Sequence, residues 1–537
     1  MRLALGACRI VLALLAVCGC GGSPSSALAP TSGSDPVRLP ARFRRLTNAE
    51  YERALDDVVG APEHVADRLP PDVRQDGYTP NAEQAVVSAW ESAVDAVAHD
   101  VAHRAVVERL EKLAPCAKSD TPDCRAEFVD TLGARAWRRP IDAADHATLL
   151  AAFDAAAGKD ALPGGFAKGA EAVLVALLES PSLVYLTELG AGGPPGSVVK
   201  LTPYEIASLL SFTLRGGPPD GALLQAAASG ALILPDAREA QARRLLAMSD
   251  TRFQFRRFVL EWLEVDGLGR TVKSAELYPG YDAVKSHMLD ETTAFADEVM
   301  VYAGGSVAAL LDARFASVDP DMARFYGLKT WGTRASLAGT RRAGVLQQAS
   351  FLAAHAHEDG TSPVKRGDFV LRRLLCVRVP RPAEVGIETV FPPPSTAKTT
   401  RERFAVHSEN PGCRACHERL DALGFTFEAF DAAGALRAKD NGRPVDTSAR
   451  VDVGGETETF GDSFDLADWL AKNPDVGECY KRQAFRYFTG QSDPRVESEL
   501  VALAGAAARP RDRTTNLFED LIDYVRSDLF VEREVRP

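Results

Sequence analysis

Helix-start signals punctuate this chain from end to end, and very little of it alternates like strand. Thr47, followed by Glu50, forms a capping box ahead of apolar Tyr51, Leu55 and Val58, with Gly60 as the stop. Thr202-Pro203 sets a capping side chain before a proline at the first helical position, where its missing N–H costs nothing. Ser362-Pro363 repeats that arrangement, and Pro235-Asp236 opens a run that predicts a helix reaching Trp262. Helical apolar spacing predicts further helices over 82–113, 124–137, 142–158, 165–180 and 282–312, and near the C-terminus over 464–472, 477–488, 494–507 and 515–527. Pro140 and Pro163-Gly164-Gly165 separate the early ones, and Gly190–Gly196 reads as a linker. The best strand candidate is Arg450-Val451-Asp452-Val453. The expected fold is mainly α, a multi-lobed helical architecture with very little strand.

The N-terminus predicts export. Arg2 and Arg9 flank or enter an apolar run, Ile10 to Val17, that is too short to span a bilayer and ends in Cys18-Gly19-Cys20-Gly21-Gly22. A Cys directly after Gly resembles the lipobox of bacterial lipoproteins, and the small Gly19 before the cut favours Cys20 over Cys18 as the lipidated residue. A plain secretory signal with incidental cysteines is the alternative. No later segment is long and apolar enough to cross a membrane, so lipid on Cys20 is the one anchor implied. A net charge of -12 offers no basic surface to nucleic acid.

After the leader, six cysteines remain, an even set suited to an oxidising compartment. Cys116 and Cys124 close a short loop before a helix, where a disulfide is the natural reading. Cys376 and Cys479 are either a long-range bridge or two buried thiols. Cys413-Arg414-Ala415-Cys416-His417 has the spacing of c-type haem attachment. Two thiols three positions apart can add to the two haem vinyl groups, and the adjacent His417 then faces the iron as proximal ligand. The expected cofactor is one covalent haem c. Three other readings compete. A structural zinc site could use Cys413, Cys416, His417 and His407, although adjacent Cys416 and His417 are awkward as two tetrahedral ligands. A thioredoxin-like dithiol lacks its βαβ setting, and a plain disulfide needs no cofactor.

The surrounding residues carry a resemblance. Asn410-Pro411-Gly412 before the motif, Glu418-Arg419-Leu420-Asp421-Ala422-Leu423-Gly424-Phe425 after it, and Thr426-Phe427-Glu428-Ala429-Phe430-Asp431 beyond are similar to the planctomycete-type cytochrome c domain proteins. Arg45-Leu46-Thr47 with Glu50-Tyr51, Arg138-Arg139-Pro140, Glu179-Ser180-Pro181-Ser182, Leu201 with Glu205 and Ser208-Leu209-Leu210-Ser211, Thr361–Gly367 and Pro444-Val445-Asp446 extend the similarity over most of the mature chain. The resemblance implies large exported bacterial proteins with a haem-binding label and no established reaction. Two positions depart from the family pattern. Ala422 replaces a proline, where a backbone carbonyl could still orient His417, and Leu420 stands where a Met is frequent and cannot ligate iron.

No Met follows Met322, so any sixth ligand comes from upstream: Met322, His355, His357 or His407, with core packing favoured for Met322 and solvated or capping roles for His355 and His357. His407, six residues before Cys413, is a possible metal ligand or a local hydrogen-bonding group on the proximal side. Lys365 and Arg366 fall in a first helical turn, where the dipole disfavours cations. Haem propionates, or an ion pair with Glu428 or Asp431, would explain them.

The expected organisation is a lipoprotein signal over 1–20, a flexible tether over 21–40, an N-terminal helical domain over 41–190, a middle helical domain over 200–314, a cytochrome-c-like haem segment over 315–455 and a C-terminal helical domain over 456–537. Function divides between an exported haem lipoprotein passing electrons to an unknown redox or surface partner, at the periplasmic or outer surface, and a non-enzymatic scaffold lipoprotein whose Cys/His motif is structural. A peroxidase-like enzyme of the usual two-haem form would need a second such motif, and the chain has one.

Overall fold

Thr47 accepts from the backbone of Glu50 while the Glu50 carboxylate accepts from Thr47 N, and the helix they open runs Asn48–Val59 before Gly60 closes it in the left-handed region. The computed structural model describes residues 37–82, 84–158, 165–380, 382–386, 398–409, 411–506 and 516–536. The leader with Cys20, the tether as far as residue 36, Pro163-Gly164 and Asn410 lie outside the described residues. Helices dominate what is described, strands are short, and the fold is mainly α. No described helix is long and apolar enough to cross a membrane.

Most predicted helices form where the periodicity puts them, and three differ. The long helix begins at Ser88 and not near 82, because the buried amide of Gln84 bonds the carbonyls of Val73 and Thr79 and holds the preceding segment out of helix. The run from Pro235 breaks into Pro235–Leu246 and Arg252–Trp262, where Arg215 takes the carboxylate of Asp250 at 2.7 Å. The stretch 282–312 divides into Tyr281–Ala303 and Val307–Asp312, because Gly304 and Gly305 both turn at positive φ, which glycine adopts without a Cβ clash.

In the N-terminal part, Ser88–Leu113, Pro122–Trp137, Ala143–Ala157 and Gly165–Leu178 pack together around the edge-to-face rings of Phe128, Phe153 and Phe166. The Cys116–Cys124 disulfide ties the loop between the first two of these helices. A second aromatic core joins distant sequence: Trp262 lies buried 5.1 Å from Tyr480 and 6.2 Å from Phe369, ring to ring. Beside it the Cys376–Cys479 bridge closes 103 residues of chain. Residues from Val37 onward form one compact unit.

The chain ends are stitched by strands that periodicity did not announce. Glu532–Glu534 lies between Leu39–Pro40, which it pairs in parallel, and Val198–Lys200, which it pairs antiparallel. Arg42–Arg45 pairs with Tyr185–Glu188. At this seam Glu188 is fully buried and meets Arg42 at 2.8 Å and Arg533. Burial alone would raise its carboxyl, but the two guanidinium groups hold it down at about 2. The predicted strand at Arg450–Val453 is present as Ala449–Val453, in a hairpin with Glu456–Phe460.

Candidate functional site

The helix Pro411–Phe425 carries the cysteine–histidine motif, and its far face is driven into the core. Leu420 and Leu423 are buried, and the helix crosses Pro363–Phe369 at near backbone contact. A Cβ at Gly424 would meet the Pro363 carbonyl oxygen at 1.9 Å, and one at Gly367 would meet the Leu420 carbonyl oxygen at the same distance. Only glycine at both crossing points permits this approach. Arg366 locks the chain beyond the site: fully buried, it donates to the carbonyls of Leu352, Phe427, Phe430 and Asp431, with the Glu428 carboxylate 3.7 Å away. Its guanidinium is therefore committed to backbone, and Lys365 reaches the Ala356 carbonyl. The propionate role considered for these two residues is not supported. Arg366 is a structural clamp held by four carbonyl oxygens, and it falls in the last turn of its short helix, where a cation suits the dipole.

A preceding helix, Thr400–Glu409, brings His407 over the motif. Thr399 and Glu402 cap its start reciprocally, and Thr400 N donates to Asp440. The ring of buried Phe404 packs edge-on to His407. The rings of His407 and His417 then lie 4.0 Å apart at 46°. That separation leaves no room for a porphyrin between them, so His407 stands beside His417 and not across an iron from it.

Both imidazoles converge on Asp421. His417 Nδ1 is 3.0 Å from one carboxylate oxygen and His407 Nδ1 is 3.1 Å from the other. Asp421 is 3% exposed and, among the described residues, pairs with no lysine or arginine. A carboxylate only accepts, so each Nδ1 carries its proton and, in a neutral His417 ring, Nε2 is the atom left to bind metal. Orientation of His417 thus comes from the Asp421 side chain, one helical turn on, and not from a backbone carbonyl near Ala422. Sequence reading missed this residue, although the i, i+4 spacing from His417 was available as a signal. Beside His417 opens a cleft of about 380 Å3 bordered by Arg401, Phe425, Ala449 and Arg450.

Cys413 and Cys416 carry free, half-buried thiols, so the plain disulfide is not formed. The metal-ligating atoms that gather within 4.8 Å here are those of His407, His417 and Asp421, with neither cysteine among them. The zinc set of two cysteines and two histidines is therefore not assembled. Two unpaired thiols three positions apart, followed by a histidine with Nδ1 satisfied and its side chain 21% exposed, form a donor set of the kind c-type haem attachment requires. The remaining ligand candidates lie elsewhere. Met322 is fully buried in a small core with Leu268, Tyr281 and Met288, as its packing role implies. His355 caps the helix Ala349–Ala354, as expected, but it is buried, not solvated: it packs on Phe351 and Phe369, and its Nε2 bonds the Leu263 carbonyl. Burial lowers His355 to about 4, so this ring is neutral. Burial also lowers half-buried His357.

Four family models match the chain in sequence order. They are PSD3, protein of unknown function (DUF1587), over residues 44–107; PSD5, protein of unknown function (DUF1595), over 124–188; PSD4, protein of unknown function (DUF1592), over 201–328; and PSCyt3, protein of unknown function (DUF1588), over 342–440. The last spans the site: both crossing glycines, His407, the cysteine–histidine motif and Asp421. Fold and site together define a mainly α protein with a cytochrome c-like domain. The chain belongs to the family of proteins assembled from planctomycete-type cytochrome c domains. No curated protein and no solved structure matches it.

Proposed function

We propose that this chain is an exported lipoprotein, anchored through Cys20, that binds one haem c through Cys413 and Cys416 and passes single electrons to a redox partner at the periplasmic or outer surface. The observation that carries the reading is the Asp421–His417 contact at 3.0 Å, which fixes the imidazole with Nε2 available as proximal ligand. Attachment is redox-neutral: each thiol S–H adds across a vinyl group, forming one C–S bond and one C–H bond. The haem would supply the one-electron couple, while the chain's residues hold and orient it and shield one face. The disulfides Cys116–Cys124 and Cys376–Cys479 support export, since such bridges persist in oxidising compartments. Single-electron transfer needs no catalytic acid or base, and in the cleft beside His417 the Asp421 carboxylate is already engaged by the two imidazoles.

The test is expression of the full chain with a cytochrome c maturation system, followed by denaturing electrophoresis and haem staining. Stain should stay with the wild-type band and vanish in Cys413→Ser/Cys416→Ser. An unstained wild-type protein, or one that binds zinc instead, overturns the proposal. Incorporation of labelled palmitate that disappears in Cys20→Ser tests the anchor separately.

A further inference from the structure

Asp421 is unusual as a partner for a single iron ligand because it serves two rings at once. Its oxygens accept from Nδ1 of His417 at 3.0 Å and from Nδ1 of His407 at 3.1 Å, in a buried setting where the described residues supply no cationic side chain to either oxygen. In low dielectric an ionised carboxylate draws strongly on each N–H it meets. A single donor would take all of that pull, whereas two donors divide it.

We infer that Asp421 is a positioning residue that tunes the iron ligand, and that His407 moderates it by holding half of the same carboxylate. This rests on the haem reading above and deepens it. A carboxylate on the far nitrogen raises the basicity of a ligating histidine and pushes electron density toward the metal, which favours the oxidised iron. Hydrogen bonding by His407 withdraws part of that push. The two residues therefore act on the haem potential with opposite signs, although both belong to one hydrogen-bonded unit. A merely structural unit predicts no such opposition, because loosening it from either end exposes the haem in the same way.

The experiment is a spectroelectrochemical titration of the stained, purified full chain and two variants. Asp421→Asn keeps the shape and removes the charge; the ferrous-to-ferric ratio at fixed potential should rise by about tenfold, a shift of about 59 mV upward for one electron. His407→Phe keeps a ring against Phe404 and removes the competing N–H, and its midpoint should move downward. Shifts of the same sign, or none in either variant, overturn the inference while leaving covalent haem intact. Loss of haem stain in the wild type overturns the underlying reading instead, so the two failures are distinct. If Asp421→Asn does not fold, the sign of the His407→Phe shift decides: downward supports the inference, and zero or upward overturns it.

Discussion

Replacing Gly424 with alanine sets helix propensity directly against packing. Both Gly424 and Gly367 have ordinary helical backbones, so propensity alone favours alanine by about 1 kcal/mol. The crossing says the opposite. The new Cβ would lie 1.9 Å from the Pro363 carbonyl oxygen, about 1.5 Å short of ordinary contact, and a backbone carbonyl cannot swing aside as a side chain can. The helices must part, and forced overpacking of this kind costs typically about 1–3 kcal/mol. The expected outcome is a lower urea midpoint in equilibrium unfolding followed by tryptophan fluorescence. A local signature should accompany it. His417 and Asp421 share the displaced helix and keep their bond, whereas His407 is on another helix and its 3.1 Å contact to Asp421 should lengthen. The haem midpoint should then move in the same direction as in His407→Phe. An unchanged or raised urea midpoint refutes the reasoning, because propensity would then have won over the close crossing.

Two further outcomes follow from buried groups away from the site. The Cys376–Cys479 bridge closes a loop of 103 residues, for which chain entropy alone gives about 4.7 kcal/mol and measured bridges commonly give about 2–4. Cys376→Ser/Cys479→Ser should lose stability in that range under urea, and a loss below about 1 kcal/mol would contradict it. His355 titrates near 4 when folded and near its usual value of about 6.5 when unfolded, so the unfolded chain binds the extra proton between those limits. Stability should therefore be lost as pH falls from about 6.5 to about 4, by at most on the order of 3 kcal/mol. His355→Gln should flatten that part of the pH–stability curve, and a curve of unchanged slope would count against the assignment.

The helices were legible in the sequence because their causes are local. Thr47 with Glu50 and Thr202 with Pro203 satisfy orphan N–H groups within one turn, and that satisfaction depends on neighbours in sequence alone. The boundaries that moved lie at contacts reaching beyond one helical turn: the Gln84 amide on the Val73 and Thr79 carbonyls, and Arg215 on Asp250 in the tight turn Ser249–Thr251 between two helices. The short strands were illegible for the same reason. Arg42–Arg45 and Glu532–Glu534 are too polar and too brief to show a strand period, and they exist because distant partners complete their hydrogen bonds.

The site divides along the same line. Sequence alone brought together the residues of the proposed attachment, since Cys413, Cys416 and His417 lie within five consecutive residues. It also supplied the even cysteine set, although whether Cys376 and Cys479 pair depends on two segments 103 residues apart meeting in space. Tertiary structure decided which partner orients His417, and that His407 shares it. It also turned Arg366 from a candidate anion ligand into a backbone clamp, and showed that Gly367 and Gly424 are needed where two helices touch. A motif within one turn of helix is written in its own letters. The second His407–Asp421 bond, the carbonyls around Arg366 and the crossing at Gly424 depend on which helix packs against which, and only the folded chain sets that.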